Sequence, residues 1–95
     1  MLLRDAIGTT LRRLRLEQGK TLRDLAHDSA VSLPYLSEIE RGRKEASSEI
    51  LATLSRALDV PLDSVLHEVS ERLAEHESGH EVVELPIRQA VLLAA

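Results

Sequence analysis

The sequence predicts an all-α domain of five helices with a C-terminal tail, and three observations carry that reading. Apolar residues recur with a period near 3.6 in five segments. Aromatic content is 1 %, with Tyr35 the single aromatic residue, so the core must be built from Leu, Ile, Val and Ala. An aliphatic core of that kind suits packed helices better than facing sheets. Strand-like alternation is confined to a weak stretch at 82–85.

The elements follow in order. Ile7, Leu11 and Leu14 make the apolar face of a first helix, which Gly19 ends by supplying a left-handed residue. Thr21 followed three residues later by Asp24 has the spacing of a capping box and opens a short second helix over Leu22, Leu25 and Ala26. After a break at 29–31, Ser32 is an N-cap and Pro34 falls in the first turn of a third helix, where its missing N–H costs little. That helix turns Leu36 and Ile39 inward and stops at Gly42. A fourth begins near Ser47 or Ser48, with Glu49 favourably placed against its dipole and Ile50, Leu51, Leu54, Ala57 and Leu58 on one face. Val60 and Pro61 separate it from a fifth, whose stripe is Leu62, Val65, Leu66, Val69 and Leu73 and which Gly79 is expected to end.

Length and composition exclude several function classes. Ninety-five residues leave no room for a two-domain enzyme around a large cleft. The absence of cysteine excludes disulfides, a thiol nucleophile and Cys-ligated metal, and fits a reducing, cytoplasmic location. No apolar run approaches the roughly 20 residues of a membrane span. A net charge of −4 argues at first against a polyanionic partner, but the charge is unevenly spread. Residues 1–44 hold nine Lys or Arg and six acids, a net +3, whereas 45–95 hold three Arg and ten acids, a net −7. Such asymmetry is a cue about partners.

Two short helices joined by a tight turn at 21–42 have the geometry of a helix-turn-helix, whose second helix enters the DNA major groove. An ordinary helical hairpin has the same outline, so the outer face of the third helix decides. At about 100° per residue, Pro34, Ser37, Glu38 and Arg41 point away from Leu36 and Ile39. That outer set is small at its start, basic at its end, and continues into Arg43 and Lys44. Small residues allow close approach to base edges, while Arg and Lys bind flanking phosphates.

Thr21-Leu-Arg-Asp-Leu-Ala, Val31-Ser-Leu-Pro-Tyr-Leu-Ser-Glu-Ile-Glu-Arg-Gly and the Leu54, Ala57, Leu58 helix resemble the phage-repressor (Cro/C1, or XRE) helix-turn-helix family. The likeness covers about 7–66 and is most specific at Ile39-Glu40-Arg41-Gly42. More narrowly, it resembles the actinobacterial branch of the family that activates genes of the ATP-dependent Clp protease. The resemblance implies a phage-repressor-like DNA-binding domain at 1–66 with its motif at about 22–41, and a C-terminal extension at 67–95. It implies a sequence-specific regulator of double-stranded DNA that needs no catalysis, cofactor or metal. It also implies a buried ion pair between Arg15 and Glu40, and their positions at the edges of their apolar faces agree with it. The expected DNA-facing residues are Arg23, Ser32, Leu33, Pro34, Tyr35, Ser37, Glu38, Arg41, Arg43 and Lys44. Leu33 and Pro34 depart from the Gln, Arg or Lys that many members carry there. Direct readout therefore rests on apolar contact with thymine methyls, on the Ser hydroxyls and on Arg41 or Arg43. Glu38 is either an acceptor for a cytosine amino group or a solvated acid, and Tyr35 packs at the helix flank or touches phosphate. A repressor or antitoxin of the same fold, and a protein-interaction adaptor without DNA binding, are the alternatives.

His76-Glu77-Ser78-Gly79-His80 matches H-E-x-x-H, the zinc-protease motif, but Gly79 lies between the two His where the amphipathic stripe expires. Catalysis is excluded, and His76 is expected to extend the stripe beyond Leu73. The stripe itself is longer than a small bundle needs. Leu62, Val65 and Leu66 are expected to cap the core, leaving Val69 and Leu73, with Val82, Val83 and Leu85, for a homodimer. The last residues, among them Leu92, Leu93, Ala94 and Ala95, resemble the small apolar degradation tags that Clp proteases recognise. RNA polymerase is a further expected partner of the acidic half.

Overall fold

A computed structural model describes residues 1–76 as five helices: α1 (Leu3–Glu17), α2 (Leu22–Ser29), α3 (Leu33–Glu40), α4 (Ser48–Ala57) and α5 (Leu62–His76). Their starts follow the capping chemistry in the sequence. Thr21 Oγ1 accepts from Asp24 N at 3.0 Å while Asp24 Oδ2 accepts from Thr21 N at 2.9 Å, so both members of the capping box are engaged. These bonds from Thr21 also hold the Asp24 carboxyl below its ordinary pKa. Ser32 and Ser47 cap α3 and α4 through their hydroxyls. At the end of α3, Gly42 takes φ +74° and Arg43 N donates to the Glu38 carbonyl at 2.9 Å, closing the helix in a left-handed turn.

Leu11, Leu25, Leu36, Ile39, Leu54, Leu58 and Val65 form the centre of one core shared by all five helices. Helix α1 packs against α3 and α5, α2 against α3 and α4, and α4 against α5. The approach of α1 to α3 requires Gly8, because a Cβ there would collide with the Ile39 and Glu40 carbonyl oxygens. Arg15 and Glu40 lock the same crossing. Arg15 Nε donates to Glu40 Oε2 at 2.7 Å and Nη2 to Oε1 at 2.9 Å, with both side chains buried (9 % and 6 % exposed). The third guanidinium nitrogen, Nη1, donates to the Lys20 carbonyl at 2.8 Å. Hydrogen bonding to Glu40 raises the Arg15 pKa, so this group stays charged in its buried setting.

Helix α5 divides its stripe differently from the sequence expectation. Val69, expected on a partner-facing surface, is 3 % exposed and packs in the core, whereas Leu66, expected to cap the core, is 45 % exposed. Helices α1 and α4 both pack against α5, and the face it turns to the shared core carries Val65 and Val69 rather than Leu66. Leu73 is partly buried against the same cluster. His76 is exposed and does not extend the apolar face. Gly79, His80, Val82, Val83, Leu85 and the terminal segment lie outside the described residues.

A charged network ties α5 to α1. Glu68 accepts from Arg13 Nε at 2.7 Å and from Arg72 Nη2 at 3.2 Å, and Arg72 Nε donates to Thr10 Oγ1 at 3.1 Å. Bonding to Arg13 first, and then to Arg72, holds the Glu68 carboxyl below its ordinary value. Its folded pKa is therefore lower than its unfolded one. The resulting stability is present above the ordinary glutamate value of about 4.3 and is lost as pH falls through the lower folded value. Thermal melts of Glu68→Gln should accordingly lose less stability than the parent when the pH is lowered through that window. Equal losses in the two proteins would contradict the network.

Candidate nucleic-acid interface

The turn between α2 and α3 is tight and holds itself in place. Ala30 takes the left-handed conformation at φ 60°, and the buried Ser29 hydroxyl both donates to the Leu25 carbonyl (2.6 Å) and accepts from Val31 N (3.2 Å). An alanine in that region is strained by about 1–2 kcal/mol, which the surrounding contacts outweigh. The turn sets α3 on the surface with Leu36 and Ile39 inward. Ser32, Pro34 and Arg41 are exposed, while Leu33, Tyr35, Ser37 and Glu38 are half-buried beside them. Of the expected DNA-facing residues, Leu33, Pro34, Tyr35, Ser37 and Glu38 thus lie on α3 and Ser32 and Arg41 at its caps, while Arg23 lies on α2 and Arg43 and Lys44 in the loop after α3.

The cations sort into two groups. Arg4, Arg13, Arg15 and Lys20 are committed to internal partners: Arg4 Nε donates to the Gly42 carbonyl at 2.9 Å, and Lys20 Nζ donates to the Ala57 carbonyl at 3.0 Å and sits 3.1 Å from Asp28. Arg23, Arg41 and Lys44 are exposed, and their side chains make no hydrogen bond or ion pair among the described residues. Arg43 is 66 % exposed, with Nη1 3.9 Å from Glu38 Oε2. Four exposed cations therefore lie at the start of α2, the end of α3 and the following loop, and a further free one, Arg12, lies on α1.

Two residues hold that loop. The Tyr35 hydroxyl donates to the Glu45 carbonyl at 2.8 Å, so its proton is engaged inside the protein, and its ring packs against the core. Of the two expected roles, flank packing is the one observed. Arg4 reaches from the first turn of α1 to the Gly42 carbonyl. Sequence reasoning missed Arg4 because no local pattern reports a contact 38 residues away. Gly8 did carry a signal, since a glycine within an amphipathic helix marks close backbone approach. Ser32 Oγ, expected to face DNA, accepts from Tyr35 N at 3.3 Å as the cap of α3, which leaves its hydroxyl proton available.

A buried-face helix, a tight turn and an exposed second helix flanked by unpaired cations define a helix-turn-helix DNA-binding domain. The helix-turn-helix family model matches residues 11–65, and the chain belongs to that family of DNA-binding transcriptional regulators. It is 51 % identical over 76 residues to the transcriptional regulator ClgR of Mycobacterium tuberculosis, covering 80 % of this chain and 68 % of that protein. The crystal structure of the clp gene regulator ClgR from Corynebacterium glutamicum matches with a TM-score of 0.79 at 45 % identity, over 90 % of each chain. The restriction-modification controller protein C.Esp1396I, solved as a tetramer with its natural 35 base-pair operator, matches with a TM-score of 0.65 at 26 % identity. That match covers 73 % of this chain and 96 % of the controller. Among the described residues no helix is long and apolar enough to cross a membrane. No cluster of His or acidic residues suited to a metal occurs among them either, and residues 77–80 of the H-E-x-x-H match lie outside them.

Removing only the Tyr35 hydroxyl tests the loop assignment. Tyr35→Phe should lower stability by no more than about 1 kcal/mol in a thermal melt, since the Glu45 carbonyl can take water instead. It should nevertheless weaken DNA binding severalfold in a titration, because Arg43 and Lys44 lose their anchored loop. Unchanged affinity would show that the tether does not position those cations.

Proposed function

We propose that the protein is a cytoplasmic homodimer that reads a two-fold DNA site through α3 and activates genes of Clp protease and related proteostasis functions. The observation that carries the DNA-reading part is the set of exposed, internally unpaired cations bracketing α3: Arg23, Arg41 and Lys44, with Arg43 beside them. Groups of this kind bind phosphate without first breaking an internal bond, and they fix the register from which Pro34, Ser37 and Leu33 meet base edges. The likeness to clp gene regulators supports the choice of target genes. An activator of this kind makes RNA polymerase a partner, and a Clp tag at the C-terminus would let the protease remove its own activator.

A single helix-turn-helix contacts few base pairs, and two readers about one helical turn apart reach operator affinity. Leu62, Leu66 and Leu73 share one side of α5, and Leu66 is the most exposed of them. In this reading they form the centre of the dimer in place of Val69, whose side chain is buried within the protomer.

Titration of genomic promoter fragments across a salt series tests the reading. With Arg23, Arg41 and Lys44 from each of two subunits, and Arg43 to the extent that it leaves Glu38, log K should fall against log salt with a slope between about −5 and −7, at about −0.9 per phosphate. A flat response would favour a protein-interaction adaptor. Leu66→Glu should sediment as a monomer and lose operator binding, and transcription from a Clp-protease promoter should fall in cells that lack the protein. Raised transcription in those cells would make it a repressor.

A further inference from the structure

Resting on the DNA-binding reading above, we infer that Glu38 is a built-in brake on DNA affinity that acts by holding Arg43. Of Arg23, Arg41, Arg43 and Lys44, the exposed cations around α3, Arg43 alone has an acidic partner at hand among the described residues. Its Nη1 lies 3.9 Å from Glu38 Oε2, just beyond hydrogen-bonding distance. Glu38 Oε2 is itself buried and accepts no hydrogen bond. Their backbones are held together, because Arg43 N, just beyond the end of α3, donates to the Glu38 carbonyl at 2.9 Å.

A carboxylate oxygen shut away from water without a donor is costly, and the Arg43 guanidinium is the group placed to relieve it. Arg43 is also 66 % exposed and faces outward beside Arg41 and Lys44, so a DNA phosphate competes for the same guanidinium. A phosphate that draws Arg43 outward therefore takes the facing positive charge away from the buried oxygen. Arg23, Arg41 and Lys44 carry no such penalty. Glu38 thus lowers affinity for DNA of any sequence while leaving base contacts elsewhere on α3 untouched. Its role is that of a positioning residue for Arg43, not of a base reader.

Fluorescence anisotropy of the full chain with a random-sequence duplex, across a salt series, tests this with Glu38→Gln, Arg43→Ala and the double variant. Glu38→Gln should tighten binding severalfold and steepen the log–log salt slope by up to about 1.8 for a dimer, one phosphate per subunit. In the Arg43→Ala background the same change should alter affinity by less than about twofold. Equal effects in both backgrounds would overturn the brake in favour of diffuse charge repulsion. Weaker binding by Glu38→Gln would overturn it in favour of direct base contact. If the parent itself shows no salt-dependent DNA binding, the DNA reading falls and the brake with it, whereas parent binding with additive variants overturns the brake alone.

Discussion

The Arg15–Glu40 pair is the interaction on which the rest of the fold depends. It joins the last turn of α1 to the last residue of α3 with two hydrogen bonds, and its third bond holds the turn before α2. Three elements that together present α3 thus meet at one guanidinium. Apolar packing alone lets a short helix slide or roll over Leu and Ile side chains at little cost, whereas a bidentate fork accepts one geometry. Burial of such a pair adds little to stability over well-packed apolar residues, and what it contributes is a fixed orientation. Gly8 lets the two backbones come close enough for the fork to form.

Much of this was legible in the sequence, and the reasons are local. Thr21, Ser32 and Gly42 act within their own turns, so spacing alone foretells them. The Arg15–Glu40 pair, 25 residues apart, came from the family resemblance, and the angles of both residues at the edges of their apolar faces only agreed with it. Helical periodicity also found the stripe of α5. It could not tell which part of that stripe would face the shared core, and so it exchanged Leu66 with Val69. Tyr35 was half legible, since its angle gave the flank but not the Glu45 carbonyl that its hydroxyl meets. The Arg4 contact with Gly42 joins distant turns and leaves no trace in either segment.

The charge distribution is sharpened in the same way. Nine cations in residues 1–44 suggested a basic face, yet four of them hold the fold together through Glu68, Glu40, Asp28 and the Gly42 and Ala57 carbonyls. What faces outward around α3 is a smaller set with particular positions. A few free cations at the rim, small or apolar residues at the start of α3, and an acid beside Arg43 make a surface that depends on shape and base contact more than on bulk attraction. The acidic second half works in the same direction, because its net −7 opposes indiscriminate association with a polyanion.

One buried ion pair fixes α3 to the rest of the domain, and a double-mutant cycle in urea unfolding measures that coupling. Arg15→Ala and Glu40→Ala should each lower stability by about 3–5 kcal/mol, because each strands a buried charge. The double variant should cost much less than their sum, with a coupling of about 2–3 kcal/mol. Additive losses, or single losses below about 1 kcal/mol as for a solvated surface pair, would contradict the account.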